Sequence, residues 1–166
     1  MKKPTPLRAC TLLLATALMA SPVFAISPRA FVETASEQGL AEIENGKLAV
    51  QKSRSADVRQ FAQMMIDDHQ ATNQELAALA RQLTMHPTDN AAMLDRVKKL
   101  ILEYRDGSFD RAYINNQVRA HEQTVELFRE QAQDPQTPVL QEFAGKVLPK
   151  LEAHLEQARK LQANHP

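Results

Sequence analysis

From Ser27 onward, apolar residues recur at three- and four-residue steps, the period of a helix with one buried face. Val32, Ala35, Gly39, Ile43, Gly46 and Val50 make the first such stripe, which starts at Ser27-Pro28 and ends at Ser53. Serine ahead of proline reads as an N-cap followed by proline at the first helical position. A second stripe, Val58, Phe61, Ala62, Met65, His69, Thr72, Leu76, Leu79 and Leu83, predicts a helix capped by Ser55 and running to about Thr84. Arg54-Ser55 leaves room only for a tight turn, so these two helices form an antiparallel hairpin. Pro87 stops the second helix. Asn90 to Arg105 then predicts a shorter amphipathic helix carrying Leu94, Val97, Leu100, Ile101 and Tyr104, closed by Asp106-Gly107-Ser108. A third long stripe, Ile114, Gln117, Val118, His121, Val125, Phe128 and Ala132, predicts a helix from Phe109 to Gln133. Thr137-Pro138 restarts the chain as a fourth helix, which reaches about Ala163 through Leu140, Phe143, Ala144, Val147, Leu148, Leu151, His154, Leu155, Ala158 and Leu161.

Four helices of similar length in two short-looped hairpins imply an all-α, ferritin-like four-helix bundle with a short extra helix in the connection. A weak internal repeat supports the pairing. Ser55 to Ala62 resembles Thr137 to Ala144, each at the start of a hairpin's second helix. Residues 85–108 are long enough to run back along the ~39 Å of a 26-residue helix. A crossover topology and an up-down-up-down bundle with a side helix therefore both remain open. Gly39 and Gly46 cost about 1 kcal/mol each against alanine in a helix, and their place on the inward stripe predicts close approach by a neighbouring helix.

The first 25 residues follow a different pattern. Lys2, Lys3 and Arg8 precede an apolar run, Ala9 to Ala20, that is too short to span a bilayer. Val23-Phe24-Ala25 offers the small residues a signal peptidase reads, which predicts cleavage after Ala25 and a single domain over residues 26–166. Cys10 precedes the apolar run instead of following it, against a lipoprotein. The expected mature chain lacks cysteine, so its fold must rest on the apolar core. The whole chain has 20 basic and 20 acidic residues, and three of the basic ones lie in the leader, leaving 17 against 20. No basic patch stands out, which argues against a nucleic-acid partner. No later segment has the length of a membrane span. The expectation is a periplasmic or secreted protein, and protein partners are not legible.

Candidate chemistry lies in the polar residues on these stripes. Each residue turns a helix by about 100°, which places His69 and His121 on the inward faces of the second and third helices. His154 lies between Val147, Leu151 and Leu155 on the fourth. On the first helix Glu42 falls roughly 60° from the stripe, and Glu44 about 140° away, so Glu42 is the candidate carboxylate. Heights agree for three of the four. Glu42 is about 18 Å from its turn, and His69 and His121 about 21 Å from theirs, whereas His154 is displaced by roughly 6 to 9 Å. Pro149, earlier in the fourth helix, offers a kink to change that. Glu42, His69, His121 and His154 form a reasonable ligand set for iron, zinc, manganese or copper. Asp68 and Glu122, beside two of the histidines, can hold the imidazole tautomers from a second layer. The competing reading is a packing network in which the histidines bond carboxylates or Thr72 and Thr124. Met65, one turn before His69, reads as core filler before it reads as a soft ligand for copper. His86 and His165 read as solvated, and no nucleophile triad, nucleotide loop or CxxC pair is present.

The runs Phe31-Val32-Glu33, Gly39-Leu40-Ala41-Glu42-Ile43-Glu44-Asn45-Gly46, Val58 to Ala62, Met65 to His69, Phe109 to Tyr113, Ala120-His121-Glu122-Gln123 and Leu148-Pro149 with His154-Leu155 resemble domain-of-unknown-function family 4142 (DUF4142). The resemblance covers essentially the whole expected mature chain and implies an exported bacterial protein with a ferritin-like fold. It brings no activity with it. Metal-oxidising ferritin-like proteins carry Glu-x-x-His pairs, whereas Ile66 stands three before His69 and Leu151 three before His154. Where the family often has Asp-His, this chain has Ala120-His121. Di-iron oxidase chemistry is therefore not expected. The sequence favours a non-enzymatic role, either metal handling or stress protection at the buried His/Glu site, or a structural or interaction protein.

Overall fold

The computed structural model describes residues 26–85 and 109–165, which form four helices and no strand. These are α1 (Pro28–Lys52), α2 (Ala56–Gln82), α3 (Phe109–Gln133) and α4 (Pro138–Asn164). The leader and its cleavage point, and the short helix expected over 90–105, lie outside the described residues.

The helix ends follow the expected residues only in part. Ser27 Oγ accepts the Ala30 N–H at 3.2 Å and caps α1 as expected. Ser55 does not cap α2 through its side chain. Its hydroxyl donates to the Asp57 carboxylate, and Asp57 takes the Val58 N–H at 2.8 Å. Thr137 makes no side-chain cap at α4 either. The C-terminus of α2 closes before Pro87 can act. Met85 N–H bonds the Ala80 carbonyl at 2.8 Å and Thr84 N–H that of Arg81 at 3.1 Å, with Thr84 at φ 55°. That is a Schellman closure with threonine in the left-handed position that glycine favours.

Helices α1 and α2 pack against each other along their length, as do α3 and α4, and the hairpins meet through α1–α3 and α2–α4. Named pairs set the directions. Along α1–α3, Phe31 meets Phe128 (ring centroids 5.2 Å), Gln38 accepts from Thr124, Glu42 accepts from Gln117, and Lys52 lies over Phe109. Along α2–α4, Asp57 meets His165, Asp68 meets His154, and Glu75 meets Lys146. One number rises as the other falls in both series, so every neighbouring pair is antiparallel. The two turns consequently lie at opposite ends, and the chain between Met85 and Phe109 joins one end of the bundle to the other. The crossover arrangement, left open by segment length alone, is the one adopted.

Both glycines of α1 sit where α1 and α2 nearly touch. A Cβ on Gly46 would lie 2.8 Å from Ile66 Cγ1 and 2.9 Å from the Ala62 carbonyl oxygen. One on Gly39 would overlap the Asn73 carboxamide, whose nitrogen donates to the Ser36 carbonyl at 3.2 Å. Apolar side chains fill the bundle above and below its middle, including Phe31, Phe128 and Phe143 on one side and Val58, Phe61 and Tyr113 on the other. The layer between them is polar.

Candidate metal centre

That middle layer contains Glu42 from α1, His69 from α2, His121 from α3 and His154 from α4, all between 1 % and 4 % exposed. The three imidazoles close into a triangle, with ring centroids 5.6 Å (His69–His121), 5.6 Å (His69–His154) and 5.5 Å (His121–His154) apart. One nitrogen from each lies within 4.8 Å of one from each of the others. Three points so spaced lie no more than about 2.8 Å from a common centre, against roughly 2.0–2.1 Å for a zinc–imidazole bond. Each ring need move inward by at most about 0.8 Å.

The hydrogen bonds on the far side of two rings fix which nitrogen is free. His121 Nδ1 lies 2.9 Å from the Gln117 carbonyl one turn earlier in α3. A carbonyl only accepts, so Nδ1 carries the proton and Nε2 holds the lone pair. His154 Nε2 lies 2.9 Å from Asp68 Oδ2, so there Nε2 carries the proton and Nδ1 the lone pair. His121 Nε2, His154 Nδ1 and His69 Nε2 are buried and have no hydrogen-bond partner. Each such nitrogen costs about 1–3 kcal/mol, a large share of the roughly 5–15 kcal/mol that holds a domain together.

His69 and His154 are also neutral at ordinary pH. Burial, helped by the neighbouring His121 and His154, pushes His69 down to about 3. Burial likewise takes His154 down to about 4, although its bond to Asp68 opposes the shift. Protons therefore do not compete for the lone pairs of His69 and His154 near neutrality.

Glu42 is in this layer but not among the converging donors. Its carboxylate accepts a short hydrogen bond from Gln117 Nε2. Burial raises its pKa, more than the nearby His121 and the Gln117 bond lower it. Glu44 points outward to Lys47 at 2.7 Å, as its angle on the helix predicts. Asp68 reaches not the adjacent His69 but His154 on α4, and also accepts from Lys150 Nζ at 2.6 Å. Burial opposes its ionisation, yet Lys150 and His154 together hold its pKa below the usual carboxylate range. Glu122 is not brought to the rings. One position beyond His121 is about 100° round the helix, and there its carboxylate is exposed and paired with Arg159 at 2.7 Å. His165, expected to be solvated, bonds Asp57 at 3.0 Å. Thr72 and Thr124, the alternative partners for the histidines, bond the backbone of their own helices at 2.9 Å, and Thr124 also Gln38.

His154 belongs with the other rings despite its height along α4. A helical side chain leans toward its own N-terminus. Helix α3 runs toward the α3–α4 turn and α4 away from it, so His121 leans away from the turn and His154 toward it. The lean closes the gap that counting rise alone leaves. Gln117 is the site residue without a predicted role. Its signal was a polar side chain on the inward stripe one turn before His121, the same signal that singled out the histidines.

Fold and site define a class: an antiparallel crossover four-helix bundle carrying one core histidine on each of three helices. The chain belongs to the family described as Domain of unknown function (DUF4142), whose model matches residues 13–161. Comparison with curated proteins gives no match, and neither does comparison with solved structures.

Proposed function

We propose that this is an exported metal-handling protein that holds one transition-metal ion through His69 Nε2, His121 Nε2 and His154 Nδ1. Two observations carry the reading: one ligand nitrogen from each of three buried imidazoles lies within 4.8 Å of one from each of the others, and each of the three rings has a buried nitrogen without a hydrogen-bond partner. A packing network would pair those nitrogens, whereas a cation uses all three lone pairs at once. Neutral imidazole donors suit zinc, copper and iron better than manganese, which prefers oxygen. Asp68 and the Gln117 carbonyl serve as the outer partners that orient the rings. The leader of residues 1–25 would deliver the chain to the periplasm or the exterior, where it would act on metal supply without turning over a substrate.

The test is metal analysis of the purified chain from Ile26 after equilibration with zinc, copper, iron or manganese. One equivalent of zinc or copper is expected, lost in His69→Ala and His121→Ala variants that retain their helicity. Absence of bound metal under all four conditions would overturn the reading, as would full retention by both variants.

A further inference from the structure

Three protein nitrogens do not complete the coordination of a zinc-like ion, which takes four ligands in a tetrahedron. Glu42, the buried carboxylate of the same layer, accepts from Gln117 and is not among the converging donors. Charge leads to the same conclusion. Asp68 and Lys150 cancel as an ion pair at 2.6 Å, and histidine binds a metal ion as the neutral imidazole. A divalent ion therefore leaves a net +1 in a dry core even with Glu42 ionised, an arrangement that low dielectric makes costly. An anionic fourth ligand removes that excess.

A further feature fits such a ligand. Gln117 Oε1 and Asn45 Oδ1 are buried acceptors without partners, and they belong to the residue that holds Glu42 and to one three positions after it. Acceptors of this kind suit a ligand that brings its own proton, as hydroxide does.

Building on the metal site proposed above, we infer that the bound ion keeps a fourth position for a small exogenous monoanion, hydroxide in the resting protein. The protein is thus built to hold a metal–anion pair, with Glu42 as a counter-charge beside it and not as a ligand.

The experiment uses the chain from Ile26 loaded with cobalt(II), titrated with azide at constant ionic strength maintained by perchlorate, a weakly coordinating anion. Uptake of one cobalt is read first by metal analysis. Azide should then change the visible cobalt absorption saturably. In Glu42→Gln, which removes the counter-charge this inference assigns to Glu42, azide should bind at least about threefold more tightly. Failure to take up cobalt overturns the metal site, and this inference with it. Cobalt uptake with a spectrum indifferent to about 0.1 M azide in both proteins leaves the metal site standing and overturns the anion position. A response in Glu42→Gln alone identifies Glu42 as the fourth ligand and also overturns it.

Discussion

The buried histidines make the metal-free protein sensitive to mild acid, in a range where most domains are insensitive. An unfolded histidine titrates near 6.5, whereas His69 is pushed down to about 3 and His154 to about 4 in the fold. Between those limits the unfolded chain binds protons that the folded chain does not, so stability is full above pH 6.5 and is lost as pH falls. Each such proton contributes about 1.4 kcal/mol per pH unit. Two histidines give about 2.7 kcal/mol per unit below pH 6. Glu42 works the other way. Burial raises its pKa, so its contribution is present below its unfolded value and lost as pH rises through the folded one. It offsets up to one proton, which leaves a net slope of roughly 1.4–2.7 kcal/mol per unit between pH 6 and 4.5. Asp68, whose pKa is lowered, adds its own loss only below about pH 4. The assay is urea unfolding followed by circular dichroism at half-unit pH steps from 7.5 to 4.5, with a chelator present. His69→Leu should flatten the slope by about 1.4 kcal/mol per unit. A wild-type stability that stays level from pH 7 to 5, or a His69→Leu slope equal to wild type, would refute the assignment of neutral buried imidazoles.

Three other outcomes are expected. Asp68→Ala should weaken zinc binding by about 10- to 100-fold, since it frees the His154 ring to change tautomer and orientation; competition against a chromophoric chelator reads the affinity, and an unchanged value contradicts the role. Gly46→Ala should destabilise by about 1–3 kcal/mol in thermal unfolding, because the added methyl meets the Ala62 carbonyl oxygen; helix propensity alone predicts a gain of about 1 kcal/mol, so the sign decides. Zinc at a thousand times its dissociation constant should stabilise the folded chain by about 4 kcal/mol, seen as a rise in unfolding midpoint that is absent in His121→Ala.

The sequence carried the helices well because each stripe is long and each break contains proline or serine. It carried the inward facing of His69, His121 and Glu42, because angle and rise on a single helix are fixed by geometry, but not that Glu42 is outside the converging donors. Three things depended on what lies between helices. The direction of the second hairpin is set by pairs such as Gln38–Thr124 and Asp68–His154, which no single stripe contains. Asp68 is adjacent to His69 in the chain, yet its partner is across the α2–α4 seam. Glu122 had the same adjacency to His121 and turned to Arg159 instead. Sequence neighbours on a helix diverge by about 100°, so adjacency to a site residue points away from the site more readily than into it. The absence of a side-chain cap at Ser55 has a local cause: Asp57, two residues on, binds the hydroxyl and takes the Val58 N–H itself.

The origin of the three rings has a kinetic consequence. His69 comes from the first hairpin, and His121 and His154 come from the second, and contacts between hairpins are far sparser than those within them. An ion at the centre would rivet the two halves together at mid-height. It could leave only when the seam parts, so its residence time would follow the rate at which one hairpin lifts from the other, and hydrogen exchange along α1–α3 and α2–α4 would slow in step with it.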